Sequence, residues 1–136
     1  MIEYDGLLFE NLAEVEAYSA KRNKRRDSTT PEGEIQAIIL DYMTSRARFC
    51  VWRNNTGVAR TGGRYIRYGQ AGLADIIGYV VGTGRHIEIE VKAGRGRRTA
   101  EQVKRITDSE AAGCVAFFAG SKDELNDNLR KFNLIW

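Results

Sequence analysis

Residues 72–102 read GLADIIGYVVGTGRHIEIEVKAGRGRRTAEQ, and the alternation of their apolar residues decides the fold. Ile76 to Val81 and Arg85 to Lys92 are rich in β-branched residues and are separated by Gly82-Thr83-Gly84, which predicts two strands joined as a hairpin. Along the second strand Ile87, Ile89 and Val91 fall on one face, with His86, Glu88, Glu90 and Lys92 on the other. On an ordinary antiparallel sheet that polar face is simply solvated. Register gives it a second meaning. With Gly82-Thr83 as a two-residue loop, whose leading glycine supplies the positive φ of a type II′ turn, paired residue numbers sum to 165 and Asp75 stands opposite Glu90. With Thr83-Gly84 as the loop the sum is 167, and Asp75 faces Lys92 and lies diagonal to Glu90. A three-residue loop without a bulge separates them. Cross-strand Cβ atoms are ~4.5–5.5 Å apart, so the first register sets two carboxylates against each other with Lys92 one step along. Such a pair repels unless one member takes up a proton or a cation intervenes.

Working outward, Thr99-Ala100-Glu101-Gln102 has the spacing of a capping box and opens a helix to about residue 112, closed by Gly113. Residues 114–119 read as a buried strand and 121–132 as a last helix. Before the hairpin, Pro31 sits where a first helical turn accepts it, and Ile35, Ile38, Ile39, Tyr42 and Met43 mark the apolar stripe of a helix over about 31–45. Glu34 lies one turn before Ile38. It is either a first-turn acid favoured by the helix dipole or a third carboxylate carried along the buried stripe. Residues 49–52 and 65–68 read as strands, the second within a Gly- and Arg-rich stretch. Residues 7–22 read as an amphipathic helix (Leu7, Leu8, Leu12, Val15, Tyr18) running into the basic run 21–26, a solvated linker or a nucleic-acid contact. The resulting order, α-α-β-β-β-β-α-β-α, is an α/β fold with a mixed central sheet flanked by helices.

At 136 residues the chain is one domain's worth, with a core large enough to fold without staples. Cys50 and Cys114 lie in apolar runs without paired spacing and read as buried thiols of a reducing compartment, hence a cytoplasmic protein. No apolar run is long enough for a membrane span. The net charge of +3 hides an asymmetry. Residues 44–105 carry 13 Lys/Arg against 4 Asp/Glu, while the rest carries 8 against 14. Arg46, Arg48, Arg53, Arg60, Arg64 and Arg67 are interleaved with Trp52, Tyr65 and Tyr68, which suits a phosphate backbone with accessible bases, or else makes a solvated basic face. Asn54 and Asn55 either touch nucleic acid or make a turn with Gly57. Two carboxylates and a nearby carbonyl suit Mg²⁺ or Mn²⁺, whereas zinc calls for His or Cys, and the one histidine is His86.

Asp75, then Glu90-Val91-Lys92 after a hairpin, preceded by a helical Glu34 and followed by a helix carrying Gln102, resembles the PD-(D/E)xK nuclease superfamily. Within it the VRR-NUC branch, the virus-type replication and repair nucleases, is the most similar, over residues 32 to about 119. Ala74 stands where the motif has Pro. The resemblance implies a restriction-endonuclease-like core over 31–136, with 1–30 as an N-terminal helix and basic linker. It implies divalent metal held by Asp75, Glu90, Glu34 and the Val91 carbonyl, water assisted by Lys92, and Gln102 beside them. Arg53, Arg60, Arg64, Arg67, Arg95, Arg97 and Arg98 would then hold DNA. Glu88, two residues farther from Lys92, takes a solvent or salt-bridge role, and His86 a surface one. The implied activity is phosphodiester hydrolysis, probed best on branched DNA such as a four-way junction. Stand-alone domains of this kind resemble junction-resolving homodimers, for which the helix over 7–22 offers a surface unless it packs on its own domain. The alternative is a non-catalytic nucleic-acid-binding module.

Overall fold

The computed structural model describes residues 1–25, 30–54, 57–68, 73–94 and 96–135, the stretches 57–59 and 66–68 in backbone only. The elements run β1 (Ile2–Tyr4), β2 (Leu7–Phe9), α1 (Leu12–Lys24), α2 (Pro31–Thr44), β3 (Phe49–Arg53), β4 (Gly57–Thr61), β5 (Arg64–Tyr68), β6 (Ile76–Val80), β7 (His86–Val91), α3 (Ala100–Ala111), β8 (Val115–Ala119) and α4 (Lys122–Lys131). Four strands form the central sheet in the order β3-β6-β7-β8. The first three are antiparallel, and α3 carries the crossover that lets β8 run parallel to β7. The fold is therefore α/β, with a mixed sheet flanked by helices, as the element order predicts.

The β6–β7 register pairs Ile76 with Ile89, Ile77 with Glu88 and Tyr79 with His86, the sum of 165 expected with Gly82-Thr83 as the loop. The loop itself is looser than a two-residue turn. Val80 N–H donates to the Arg85 carbonyl at 2.8 Å, Gly84 N–H donates to the Val80 carbonyl at 2.9 Å, and both Gly82 and Gly84 have positive φ.

One face of the sheet carries Phe49, Val51, Ile76, Val80, Ile87, Ile89, Val91 and Phe117 into a core completed by Ile35, Ile39 and Met43 of α2 and Leu125 and Leu129 of α4. Helix α3 covers β7 and β8 on the other face. Hence the polar side of β7 is not solvated: Glu88 is fully buried and Glu90 is 3% exposed. Gly120, just after β8, is fixed by the same closeness, because a Cβ there would collide with the Lys92 carbonyl. Gly120→Ala is expected to cost about 1–3 kcal/mol in urea unfolding, as overpacked sites do, and an unchanged midpoint would show that the strand can yield.

The N-terminus differs from its sequence reading. Asp5-Gly6 (φ 53° and 73°) turns β1 into β2 as a type I′ hairpin, and Asn11 caps a helix that begins only at Leu12. Leu7, Phe9, Val15 and Tyr18 are buried in the common core, so this segment packs on its own domain, leaving Met1, Ile2, Tyr4 and Leu12 exposed. The basic run is likewise part of the fold. Arg25 grips the buried Asp41 through Nε and Nη2, while Arg22 bridges Asp41 and Glu34. Cys50 and Cys114 are free and only half-buried. No helix among the described residues is long and apolar enough to cross a membrane.

Candidate active site

Two strand ends and two helix starts build the site. Asp75 stands at the entry to β6, fixed from behind by Asn54, whose backbone N–H donates to the Asp75 carbonyl at 2.8 Å and whose side chain donates to Ala74 O at 3.2 Å. Asn54 thus continues the β3–β6 pairing by one residue, and neither of these bonds makes the turn with Gly57 that one of its two sequence readings expected; Asn55 lies outside the described residues. The Asp75 carboxylate accepts the Val91 N–H at 2.9 Å, which points it across the hairpin at Glu90. Glu90 receives a second constraint from α3. Gln102 donates Nε2–H to Glu90 Oε1 at 3.1 Å, while its Oε1 accepts the Thr99 N–H and so completes the capping box. One side chain therefore caps the helix and aims the acid.

Burial, followed by the charge of Asp75 and a hydrogen bond between the two carboxyl groups, pushes the Glu90 pKa up to about 8, with Lys92 opposing and Glu32 adding to the rise. Glu90 Oε2 is buried without a donor. The pair is thus short of positive charge, and that shortage is what a divalent cation relieves. Among the described residues no group of three or more His, Cys, Asp or Glu is close enough to hold a metal ion. Mg²⁺ does not require one. It binds through one or two carboxylates and keeps water and phosphate oxygens in its remaining positions, so Asp75 and Glu90 fit it.

The third acid differs from the sequence reading. Glu34 turns toward α1 and pairs with Arg22 at 2.5 Å, so it is not gathered with Asp75 and Glu90. Glu32 comes nearer: its charge adds to the rise of the Glu90 pKa, and its Oε2 and the Lys92 Cδ both flank the space above Gly96, at 3.6 and 3.5 Å from where a Cβ there would stand. The phase of the folded helix accounts for the difference. Ile35 and Ile39 are buried while Ile38 only leans on the core, so the stripe is centred on the 32-35-39 line rather than on 34-38.

Glu88 takes the salt-bridge part of its expected role and not the solvent part. Arg105 Nε donates to its Oε1 at 2.9 Å, and His86, 45% exposed at the strand start, lies 3.7 Å from its Oε2. Arg105 was not singled out in the sequence, although its spacing of three from Gln102 on α3 matches the spacing of two between Glu88 and Glu90 on β7.

The basic stretch does not form one face. Arg46 is buried, bonded to Tyr42 and Glu10, and Arg48 pairs with Glu10 and the Leu134 carbonyl, so neither is offered to a ligand. Arg60 and Arg64 are exposed on the β4–β5 ribbon, closed by a Gly62-Gly63 turn with both φ positive. Tyr65 beside them is 74% exposed, under the Arg60 guanidinium at 5.8 Å. Arg97 and Arg98 are exposed on the approach to α3, Arg98 stacking on Phe118 at 4.1 Å, and Arg53 is exposed at the end of β3. The Arg67 side chain and Arg95 lie outside the described residues.

No protein-family model, curated protein or solved structure matches this chain.

Proposed function

We propose that the chain is a Mg²⁺- or Mn²⁺-dependent DNA endonuclease of the PD-(D/E)xK type, acting on branched DNA as a homodimer. The observation that carries this reading is the facing pair Asp75 and Glu90, oriented by Val91 N–H and Gln102, with Glu90 buried, the pair deficient in positive charge and Lys92 beside it. When bound there, the ion supplies Lewis-acid polarisation of a phosphate oxygen and eases deprotonation of water. Asp75 and Glu90 hold fixed directions because each has a hydrogen bond to a rigid element, so their positions need no reorganisation during the reaction. Lys92 orients the attacking water or offsets charge on the phosphate as it becomes five-coordinate. The ribbon carrying Arg60, Arg64 and Tyr65, with Arg97 and Arg98 across from it in sequence, would grip the backbone. One domain with one acid pair cuts one strand, and a four-way junction presents two strands related by a two-fold axis, which a C2 dimer matches.

Incubating the full chain with plasmid and with a labelled four-way junction in Mg²⁺, Mn²⁺ or EDTA tests the reading. Cleavage that needs metal and drops at least a thousandfold in Asp75→Asn is expected; binding without any metal-dependent cleavage would make the chain a non-catalytic binding module. The revised third acid has its own test. Glu32→Gln is expected to lower the cleavage rate tenfold or more, and Glu34→Gln to leave it within about twofold at a temperature where both are folded. The reverse ranking would restore Glu34 to the site.

A further inference from the structure

Two clefts lie along the open edge of β3, neither of them part of the acid pair. The first, of about 530 Å³, is rimmed by Lys21, Lys24 and Arg25 of the α1 end and by Trp52 and Arg53 of β3, with Asp41 in its wall. The second, of about 400 Å³, shares Arg25, Leu40 and Arg53 with the first and continues to Glu32. The two thus run on into each other as one path, and Glu32 at the end of the second flanks the space above Gly96 together with the Lys92 stem, on the side of the acid pair.

The first cleft is the basic part of this path, since the second also carries Glu32. Asp41 is already neutralised by Arg22 and Arg25, and among the described residues Lys21 bonds a neutral partner, Thr44 Oγ1, at 3.1 Å. Lys24 and Arg53 have no acidic partner among the described residues. At the far end the Trp52 ring is 48% exposed, set edge-on to Tyr79 at 6.5 Å, and it also lines a third cleft with Tyr79 and His86. Cations without acidic partners among the described residues, as Lys21, Lys24 and Arg53 are, set beside open aromatic faces are how proteins hold unpaired nucleic-acid strands, the cations following phosphates and the rings stacking bases. Volumes of 400 and 530 Å³ suit a few nucleotides in single file.

We infer that this path binds an unpaired strand leading away from the scissile phosphate, with an unpaired base on Trp52. The inference rests on the nuclease reading and adds that the branched DNA is held with a few nucleotides unpaired beside the cut.

Fluorescein-labelled dT20 and a blunt 20-base-pair duplex, titrated with the full chain in EDTA across a KCl series, test it by anisotropy. For Lys21→Ala/Lys24→Ala the slope of log affinity against log salt on dT20 is expected to flatten by about 1.4, at ~0.7 per single-strand contact, with the duplex slope unchanged. Trp52→Ala should weaken dT20 roughly tenfold and Trp52→Phe much less, since a ring remains. Lys24→Glu alone, on an exposed residue, should act in the same direction and guards against misfolding of the double variant. A wild-type slope on dT20 in the lysine variants, or equal changes on dT20 and duplex, would overturn the single-strand path while leaving the nuclease reading in place. Wild-type protein that binds neither probe at low salt would sink both.

Discussion

Glu90→Gln is expected to abolish cleavage and, at pH 8.5 without metal, to raise the melting temperature by roughly 5–10 °C. The two effects have one origin. Burial and the neighbouring Asp75 lift the Glu90 pKa to about 8, so between about pH 4.5 and 8 the folded chain keeps a proton that the unfolded chain releases. The unfolded state then binds fewer protons than the native one, stability falls as pH rises through that window, and the loss levels off above about pH 8. A glutamine keeps the hydrogen-bonding shape and never ionises, so it escapes a penalty of the order of 2–4 kcal/mol at pH 8.5 and gains almost nothing at pH 4. Mg²⁺ should offset the same penalty in the wild type, raising its melting temperature at pH 8.5, with a much smaller rise in Glu90→Gln. Scanning calorimetry of both proteins at pH 4, 6.5 and 8.5, with and without 10 mM MgCl₂, checks this. A variant that melts below the wild type at pH 8.5 in EDTA would show that Glu90 is not held against an uncompensated charge.

The acid pair was legible because its position follows from local rules. Gly82 and Gly84 mark the loop, the alternation of β7 sets which residues share a face, and pairing carries Asp75 to Glu90 without knowledge of the rest of the chain. The capping box put Gln102 on the first turn of α3 by the same kind of local rule, but its place beside the acids was implied only by the resemblance. What required the tertiary structure was the environment of these residues. The polar face of β7 looks solvated in sequence because Glu88 and Glu90 are charged, and only the docking of α3, bringing Gln102 and Arg105 over them, makes it internal. Glu32 and Glu34 differ by 200° around a helix, and an apolar stripe wide enough to include both Ile35 and Ile38 does not choose between them. The β4–β5 ribbon was half seen, since Tyr65 to Tyr68 has strand-like residues while Gly57 to Thr61 has one β-branched apolar side chain and a glycine. Charge counted along the chain was the least reliable guide. It sums arginines that the fold then sends to the core, the ribbon, the β3 edge and the approach to α3.

Arg46 shows how far such a count can mislead, and Arg46→Met is expected to destabilise the protein by about 3–5 kcal/mol. The side chain is 1% exposed, inserted where the end of α2 meets the N-terminal segment. Its Nη1 donates to the Tyr42 hydroxyl at 2.8 Å and its Nη2 to Glu10 Oε1 at 3.1 Å, Nε lies 3.5 Å from Glu14 Oε2, and the guanidinium sits 5.4 Å from the Tyr42 and Phe49 ring centres. Glu10 is partly exposed and can turn to water when the cation is lost. Glu14, 5% exposed, cannot. A methionine fills the volume but leaves that carboxylate buried without its counter-charge, and this stranded charge, more than any lost contact, sets the cost. It follows that Arg46→Met/Glu14→Gln should recover most of the loss, because both charges then leave together. Urea unfolding of the two single variants and the double variant gives the coupling directly. Below its melting range Arg46→Met should bind DNA with the wild-type salt slope, since a guanidinium enclosed by Tyr42, Phe49 and two glutamates reaches no phosphate. A slope flattened by about 0.9 would place Arg46 on the nucleic acid instead, and would require the N-terminal hairpin and α1 to move off the core when DNA binds.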